Sequence, residues 1–446
     1  GTGLTTAEMT GEAATSNMQF DYNTYWQPPV RPGAYPSLDE ESEITDWYEL
    51  DAARSNLDSH WELGADLDKN TAGYNAVVEN PSGGWEPIGD PSNPFTGTFD
   101  GNGHTIADLK IDRPDTDKVG LFTIIQNGGQ VRDLTVAQPS ITGKKGVGPV
   151  AAQLTHDKSV IEDVTVRGGT ITSANSGDAV AGGVVGRLHS GPTLVNVGSS
   201  ADVSAEGTDH VGGLVGYSSN GGNIRRSWAT GSVSGPGRTG GGNGGLVGVA
   251  NGLVISNSYA TGSVASTNGP AGGLVGYSRR FTVRITDSFA TGDVESVNSY
   301  SGGLVGRDTA TTLTVSGSYY DTDSTGQSSS AGGATPLETP EMRGRFAADH
   351  MALDFKNVWT TRSGQYPTLR EDIEADSVTE ISTWADLDAI RDDPDGEYKL
   401  VADLDADTAG YANYVEDPSN GWDPISGRFS GTFDGNGHTI ADLEID

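Results

Sequence analysis

A short segment rich in glycine and small apolar residues recurs through the middle of the chain about every 30 residues. It reads VGGLVG at 211–216 and GGLVG at 244–248, 272–276 and 302–306, with weaker versions at 119–122, 147–152 and 181–186. Each repeat holds two or three short β-prone runs separated by Gly, Ser, Asn or Asp and shows no helical periodicity. One such repeat cannot bury its apolar side chains alone, whereas stacked repeats bury a continuous core. The spacing therefore restricts the chain to a repetitive β architecture.

Apolar and aromatic residues keep the same spacing. The two lines consist of Leu214, Leu246, Leu274 and Leu304, and of Trp228, Tyr259, Phe289 and Tyr319. If each repeat is one coil of a parallel β-solenoid, coils stack at about 4.8 Å and equivalent side chains form columns along the axis. We predict an all-β parallel β-helix of about seven coils, with glycine at the corners and short helical segments at the ends or junctions. A β-propeller is the alternative, although its blades are longer, about 40–50 residues.

A second, longer repeat has a period near 334 residues. The segment GTFDGNGHTIADL occurs at 97–109 and again at 431–443, and ITDWYEL at 44–50 returns as ISTWADL at 381–387. The predicted organisation is a closing segment at 1–41, an opening module at 42–112, solenoid coils at 113–333, a second closing segment at 334–372 and a second opening module at 373–446. We expect the chain to be a window on a longer array, made either of one long polypeptide or of subunits joined end to end.

The opening modules contain candidate short helices. Thr45 and Ser382 are predicted to cap them, and two equivalent apolar faces follow: Trp47, Leu50 and Ala53, and Trp384, Leu387 and Ile390. Exposed tryptophans could bind sugars. Packing of the helix over a solenoid end is favoured, because an uncovered coil would expose unpaired strand groups.

Composition limits the possible partners. The chain has 61 acidic and 27 basic residues, a net charge of -34, and no cysteine. Such a charge repels nucleic acid and anionic membranes, and no apolar run approaches the ~20 residues needed to insert into a bilayer. Abundant carboxylates and only eight lysines favour a surface adapted to high salt. An ordinary acidic secreted protein is the alternative.

Calcium is a candidate cofactor, because oxygen-bearing side chains alternate in two equivalent loops. The candidate ligands are Asp66, Asp68 and Asn70 in the first loop and Asp403, Asp405 and Asp407 in the second. The sequence DTDS at 321–324 is a weaker candidate of the same kind. Neither loop has the glycine position or the final glutamate of an EF-hand, so an acidic turn closed by Asx hydrogen bonds is the competing interpretation.

Asp100 and His104, repeated as Asp434 and His438, raise the possibility of acid–base catalysis. The surrounding FDGNGH reads more readily as a tight turn in which Asp-Gly and Asn-Gly supply positive φ. The sequence contains neither His-Glu-x-x-His nor Gly-x-Ser-x-Gly. We therefore predict a protein that is not an enzyme.

The GGLVG coils with I-x-NSYATGSV, the YYDTDSTGQ at 319–327 and the segment at 95–111 together resemble GLUG-motif repeat proteins, in an acidic variant similar to haloarchaeal members. The resemblance implies an extracellular or cell-surface β-solenoid scaffold and supplies no catalytic residues. We predict a structural segment of a long repetitive surface protein or filament, whose partners are copies of itself or adjacent units and possible cell-surface glycans. The alternatives are a glycan- or receptor-binding adhesin or virus-type fibre, and a β-helix carbohydrate-active enzyme.

Overall fold

The computed structural model of the chain contains two compact units, Gly1–Pro336 and Leu337–Asp446. It describes residues 4–10, 12–18, 26, 27, 37, 38, 42–174, 177, 179–207, 209–237, 240–297, 300–370, 379–392, 397–415, 421, 422, 424, 425, 429 and 432–445. Parts of the predicted closing segment 1–41 and of the predicted module 373–446 lie outside these residues. The first unit contains a parallel β-solenoid of about seven coils, which confirms the predicted fold class.

Each coil passes in turn through four parallel sheets, called sheets 1 to 4. In the described residues, sheet 1 consists of Lys110–Asp112, Ser140–Gly143, Thr170–Ser173, Asp202–Ala205, Val233–Gly235, Val264–Ser266 and Val294–Ser296. Sheet 2 consists of Lys118–Val119, Gly146–Val147, Ala179–Gly182, Asp209–Gly212, Gly242–Gly244, Ala271–Gly272 and Ser301–Gly302. Sheet 3 consists of Phe122–Ile125, Ala151–Thr155, Val185–His189, Val215–Ser219, Val247–Ala250, Val275–Arg280 and Val305–Ala310.

Sheet 4 is the widest and extends beyond the coils at both ends. Its strands are Ser42–Ile44, His60–Leu63, Thr98–Asp100, Thr105–Ala107, Gln130–Ala137, Val160–Arg167, Thr193–Ser199, Asn223–Arg225, Trp228–Ala229, Val254–Ser256, Tyr259–Ala260, Val283–Thr286, Phe289–Ala290, Leu313–Ser316, Tyr319–Asp321 and Thr335–Leu337. Coils 1 to 7 therefore span residues 110–137, 140–167, 170–199, 202–229, 233–260, 264–290 and 294–321. Coil 1 begins inside the predicted opening module 42–112.

The remaining elements are short. The α-helices are Thr6–Met9, Glu12–Asn17, Trp47–Ala52, Tyr74–Val77, Thr322–Thr325, Gly344–His350, Trp384–Asp388 and Tyr411–Tyr414, and 3₁₀ turns occupy Ala53–Ser55, Thr339–Met342 and Ala389–Asp392. Antiparallel pairs join Trp26–Gln27 to Ser37–Leu38 and Trp359–Thr360 to Thr368–Leu369. A parallel sheet in the second unit contains Thr379–Ile381, Glu397–Leu400 and Thr432–Asp434. No helix within the described ranges is long and apolar enough to cross a membrane.

The predicted leucine column lies in the solenoid interior. All four leucines, Leu214, Leu246, Leu274 and Leu304, are fully buried. The backbone N–H groups of Leu214, Leu246 and Leu274 each donate to the carbonyl oxygen of the next leucine in the column, at 2.9 Å. The column prediction is confirmed, since the same residue position is occupied by the same side chain in consecutive coils.

The predicted aromatic line is also a stacked column. Trp228, Tyr259, Phe289 and Tyr319 pair in register along sheet 4. The Trp228 and Tyr259 rings are 6.4 Å apart with an interplanar angle of 16°, and the Tyr259 and Phe289 rings are 5.3 Å apart at 6°. Offset stacking of this kind adds to the free energy of burying the rings.

A buried serine precedes each aromatic ring and forms a ladder that sequence reasoning missed. The main-chain N–H of Ser227 donates to the Ser258 hydroxyl at 3.2 Å. In the same way, the main-chain N–H of Ser258 donates to the Ser288 hydroxyl at 3.1 Å. Each hydroxyl in turn donates to the carbonyl oxygen two residues earlier in its own coil. The buried hydroxyls of this ladder are thereby hydrogen-bonded without water. Recurrence of serine before the aromatic residue was the available signal.

Candidate functional site

The opening module is organised around the helix Trp47–Ala52. Its N-cap is Asp46, whose side chain accepts a hydrogen bond from the Glu49 N–H at 3.0 Å, and not the predicted Thr45. In the second module the cap is Thr383 and not the predicted Ser382. Thr45 and Ser382 instead donate their hydroxyls to the carboxylates of Glu49 and Asp386. Both caps lie one residue later than predicted because the helices begin directly at the tryptophans.

The buried face of this helix is confirmed. Trp47, Leu50 and Ala53 are fully buried. The Trp47 ring lies edge-on to Tyr74, with centroids 5.6 Å apart, and 6.0 Å from the ring of Trp85. The tryptophans therefore serve as core, and neither offers a free face for a sugar ring.

The first candidate calcium loop is closed by its own hydrogen bonds. Asp68 Oδ1 accepts from the N–H groups of Asn70 at 2.7 Å and Thr71 at 3.0 Å, and Asp68 Oδ2 accepts from the Asn70 side-chain amide at 3.1 Å. The hydrogen bonds from the Asn70 backbone, which has the largest effect, and from the Asn70 side chain hold the pKa of Asp68 below its usual value. Asp66 points elsewhere, because its Oδ1 accepts from the Thr105 N–H at 2.8 Å and lies 3.2 Å from His104 Nδ1.

The second loop has the same arrangement. Asp405 Oδ1 accepts from the Asp407 N–H at 3.0 Å, and Asp403 Oδ1 accepts from the Thr439 N–H at 2.8 Å and lies 3.2 Å from His438 Nδ1. These contacts lower the pKa of Asp403, and the hydrogen bond from the Thr439 backbone has the largest effect. The weaker candidate at 321–324 caps a helical turn, since Asp321 accepts from the N–H groups of Asp323 and Ser324.

No group of three or more His, Asp or Glu side chains in the described part of the chain is arranged to hold a metal ion. The alternating carboxylates of both loops face different partners, and a loop that Asx hydrogen bonds already close fits the competing interpretation. Calcium binding by Asp66, Asp68 and Asn70, and by their equivalents in the second loop, stays a prediction.

The proposed Asp100–His104 pair does not form. Asp100 Oδ2 contacts Arg132 at 2.7 Å, its Oδ1 accepts from the Asn102 N–H at 2.8 Å, and His104 faces Asp66. Positive φ occurs at Asn102 (49°) and Gly103 (77°), as a tight turn requires. The segment therefore functions as a turn that connects two strands of sheet 4.

The opening module ends in an apolar face that coil 1 covers. The Ile88 N–H donates to the Leu121 carbonyl at 2.8 Å, and the Phe95 N–H donates to that of Ile124 at 2.9 Å. The Phe95 and Phe122 rings are 4.6 Å apart. Phe95, Phe99 and Leu109 of the module, together with Ile111 in the first strand of coil 1, are at most 1% exposed, and Ile111 pairs with Ile141 of coil 2. We call these four positions the junction face.

The second opening module repeats this construction within its own unit. Trp384 packs against Tyr411 and Trp422, with centroids 5.7 Å apart in both pairs, as Trp47 packs against Tyr74 and Trp85. Strand register is also the same, since Ile381 pairs with Leu400 as Ile44 pairs with Leu63. The residues equivalent to the junction face are more exposed in this module. Phe429, Phe433, Leu443 and Ile445 are 41%, 37%, 43% and 56% exposed.

Comparisons with known proteins give partial matches. No protein-family profile matches the chain. The chain is 35% identical to halomucin of Haloquadratum walsbyi over 183 residues. The aligned residues make up 40% of this chain and 2% of halomucin. Over 119 residues, 26% of the chain, it is 35% identical to 13% of an Evansella cellulosilytica protein whose name describes a Gly-rich membrane protein. The chain thus matches a small part of each curated relative, and membership of the GLUG-motif proteins stays a prediction.

Among solved structures, one from Bacteroides ovatus, described as an immunoglobulin A1 protease, aligns with a TM-score of 0.46 and 20% sequence identity. The alignment covers 74% of this chain and 92% of that one.

Proposed function

We propose that this chain is a structural segment of a long, repetitive protein of the cell surface or extracellular space, in which solenoid units follow one another in series. The two relatives and the β-solenoid fold support the coarser part of this proposal, a repetitive surface protein. Similarity to halomucin of Haloquadratum walsbyi and the net charge of -34 support a member adapted to high salt.

The junction face is the observation that carries the serial arrangement. Four apolar positions that are buried beneath the following coils in the first repeat are 37–56% exposed in the second opening module, on the same local fold. Burying apolar side chains releases about 25 cal/mol per Å² of surface removed from water, so the uncovered face favours a partner of the same shape. A first coil with the sequence character of 118–137 is that partner.

A mechanical role fits the distribution of distinctive residues better than catalysis. The buried leucines, serines and aromatic rings recur in consecutive coils, and the His–Asp contact of the first opening module recurs in the second. Catalytic groups usually converge once, in one cleft. Cohesion here rests on parallel backbone hydrogen bonding and apolar columns, without disulfides.

The serial arrangement is tested by extending the chain after Asp446 with a second copy of residues 113–336. Hydrogen exchange of residues 432–445 is then compared with that of 98–111 by mass spectrometry. We expect the protection of 432–445 to rise to the level of 98–111, because the added coils cover Phe433 and Ile445, as coils 1 and 2 cover Phe99 and Ile111. The matched variant Ile445→Asp should prevent this gain. If 432–445 stays unprotected while circular dichroism shows the added solenoid folded, the serial arrangement is wrong.

A further inference from the structure

A basic cavity interrupts the acidic surface where sheets 2 and 3 meet, across coils 1 to 4. Its volume is about 330 Å³. The lining residues are Asp117, Lys118, Lys145, Gly146, Ala152, Gln153, Val180, Arg187 and His210. Asp117 is the one carboxylate among these described lining residues, although acidic residues outnumber basic ones 61 to 27 in the chain. Three of the eight lysines of the chain lie at 118, 144 and 145.

Strand register brings the basic side chains together. In sheet 2, Lys118 pairs with Gly146 of the next coil. In sheet 3, Gln153 pairs with Arg187, and Arg187 with Tyr217. Sheets 2 and 3 follow each other directly in every coil, so Lys118 in sheet 2 and Arg187 in sheet 3 face a common corner.

Asp117 neutralises only part of the positive charge in this corner. Lys144 and Lys145 contact Asp117, at 3.4 and 3.2 Å. Neither Lys118 nor Arg187 makes an ion pair in the part of the chain that the structure describes. Burial, followed by the nearby Arg187, lowers the pKa of Lys118. Such crowding of like charges is unfavourable unless an anion occupies the corner.

The corner continues along sheet 3 as a row of equivalent side chains, of which Gln153, Arg187, Tyr217 and Arg307 are partly exposed and Ile124, Val249 and Tyr277 are buried. From coil 1 to coil 7 the row is Ile124, Gln153, Arg187, Tyr217, Val249, Tyr277 and Arg307. The Arg187 guanidinium lies 5.1 Å from the centroid of the Tyr217 ring, and that of Arg307 lies 4.9 Å from Tyr277. Seven rungs span about 29 Å at the spacing of neighbouring strands, and no member of the row is acidic.

We propose that the corner between sheets 2 and 3 binds an acidic polysaccharide, with a carboxylate or sulfate group of the polymer held by Lys118 and Arg187. A cavity of this size suits one charged sugar, because small-ligand pockets begin at about 300 Å³. Arginine beside tyrosine provides a charged donor and a flat apolar surface in one place. A row along the axis provides for a linear polymer.

Other anionic polymers fit less well. Duplex DNA carries one charge per about 1.7 Å and needs a continuous basic track, whereas the row along sheet 3 has no basic residue between Arg187 in coil 3 and Arg307 in coil 7. An acidic peptide would bind best by adding a strand, but strands of sheets 2 and 3 already pair on both sides within the stack. A sparsely charged polysaccharide needs neither feature.

Binding of two acidic polymers, alginate (carboxylate) and dextran sulfate, to the whole chain tests the proposal by calorimetry, with neutral dextran and polyglutamate as comparisons. We expect at least one acidic polysaccharide to bind, and dextran and polyglutamate to bind at least about tenfold more weakly. Lys118→Gln and Arg187→Gln should each reduce affinity about tenfold, the value of one charge-assisted contact. Alginate binding alone would identify the carboxylate as the recognised group, and dextran sulfate binding alone the sulfate.

Matched controls are Lys158→Gln and Arg225→Gln, which remove the same charge from exposed positions outside the corner. These should bind as the parent does, and all four variants should melt within a few degrees of it. Equal losses in the controls, equal binding of dextran, tighter binding of polyglutamate, or no binding of either acidic polysaccharide would each overturn the proposal.

Discussion

At the scale of the residue, one backbone position in sheet 4 has left-handed geometry in every coil. The residues are Asp133, Asp163, Asn196, Arg226, Asn257, Asp287 and Gly317, with φ between 48° and 58°. This left-handed geometry is sterically unfavourable for most residues other than Gly, Asn and Asp. The position bends each sheet 4 strand, and it explains why Asn, Asp and Gly recur just before the buried serines.

Asp287 tests the charge at this bend. Burial raises the pKa of Asp287 above its usual value. The folded state therefore holds the proton more tightly than the unfolded state, and stability falls as pH rises through the interval between the two pKa values. We expect Asp287→Asn, which keeps a side chain suited to positive φ, to gain about 0.5 kcal/mol at pH 7. The gain should vanish below the unfolded pKa of about 3.9.

Chemical denaturation at pH 7 and at a pH below about 3.9 measures the free energy of unfolding of Asp287→Asn and of the parent chain. Asp157→Asn, which changes an exposed turn residue, is the control. An equal gain in the control, or a gain that persists in acid, would contradict the assignment to Asp287.

The calcium prediction also belongs to single residues. Asp68→Ala removes the acceptor of the Asx turn and should lower the melting temperature of the opening module whether or not calcium is present. If instead the loop binds calcium, adding the ion should raise the melting temperature of the parent chain and leave that of Asp68→Ala unchanged. Calorimetric melting with calcium and with a chelator separates the two results.

At the scale of the element, the two-glycine corner between sheets 2 and 3 is set by close packing. Gly213, Gly245 and Gly273 all have negative or extended φ, and a Cβ at Gly245 would overlap the carbonyl oxygen of Gly273 and lie 2.8 Å from the Ala260 Cβ. The recurring glycine pair is therefore required by the approach of successive coils and not by a left-handed turn.

Gly245→Ala is expected to destabilise the solenoid strongly, by about 1–3 kcal/mol or more, because the methyl group meets backbone above and a side chain beside it. Gly240→Ala is the control, since a Cβ at Gly240 meets nothing within 4 Å. Urea unfolding of both variants makes the comparison. Similar midpoints for the two would show that the coils can separate to admit a methyl group.

Sequence periodicity predicted the coils because each coil repeats one environment: Leu214 and Leu246 occupy the same interior position, and the same residue type fits both. Helix caps were less predictable, since Thr45 and Asp46 can both cap and the choice depends on where Trp47 packs. The basic corner could not be predicted, because Lys118 and Arg187 are 69 residues apart in sequence and belong to coils 1 and 3. Only the register of sheets 2 and 3 brings them together.

At the scale of the whole molecule, the net charge of -34 is held by a fold that keeps most carboxylates outside. Within the described residues, Asp46 and Asp321 are the carboxylates that are fully or almost fully buried. The folded coils hold the remaining charges closer together than the unfolded chain does, so self-repulsion destabilises the native state. Salt weakens this repulsion, since the Debye length falls from about 10 Å at 0.1 M to about 3 Å at 1 M.

We therefore expect the melting temperature to rise by several degrees between about 0.1 M and 1 M sodium chloride. Most of the rise should come at the lower concentrations, where screening changes fastest. Screening acts at every ionised carboxylate, so the rise should be smaller near pH 4, where many carboxylates are protonated. Differential scanning calorimetry over salt and pH separates screening from general salting-out, which continues to increase with concentration and does not depend on carboxylate ionisation. A melting temperature that is independent of salt at pH 7 would mean that the acidic surface is too widely spaced on the solenoid to oppose folding.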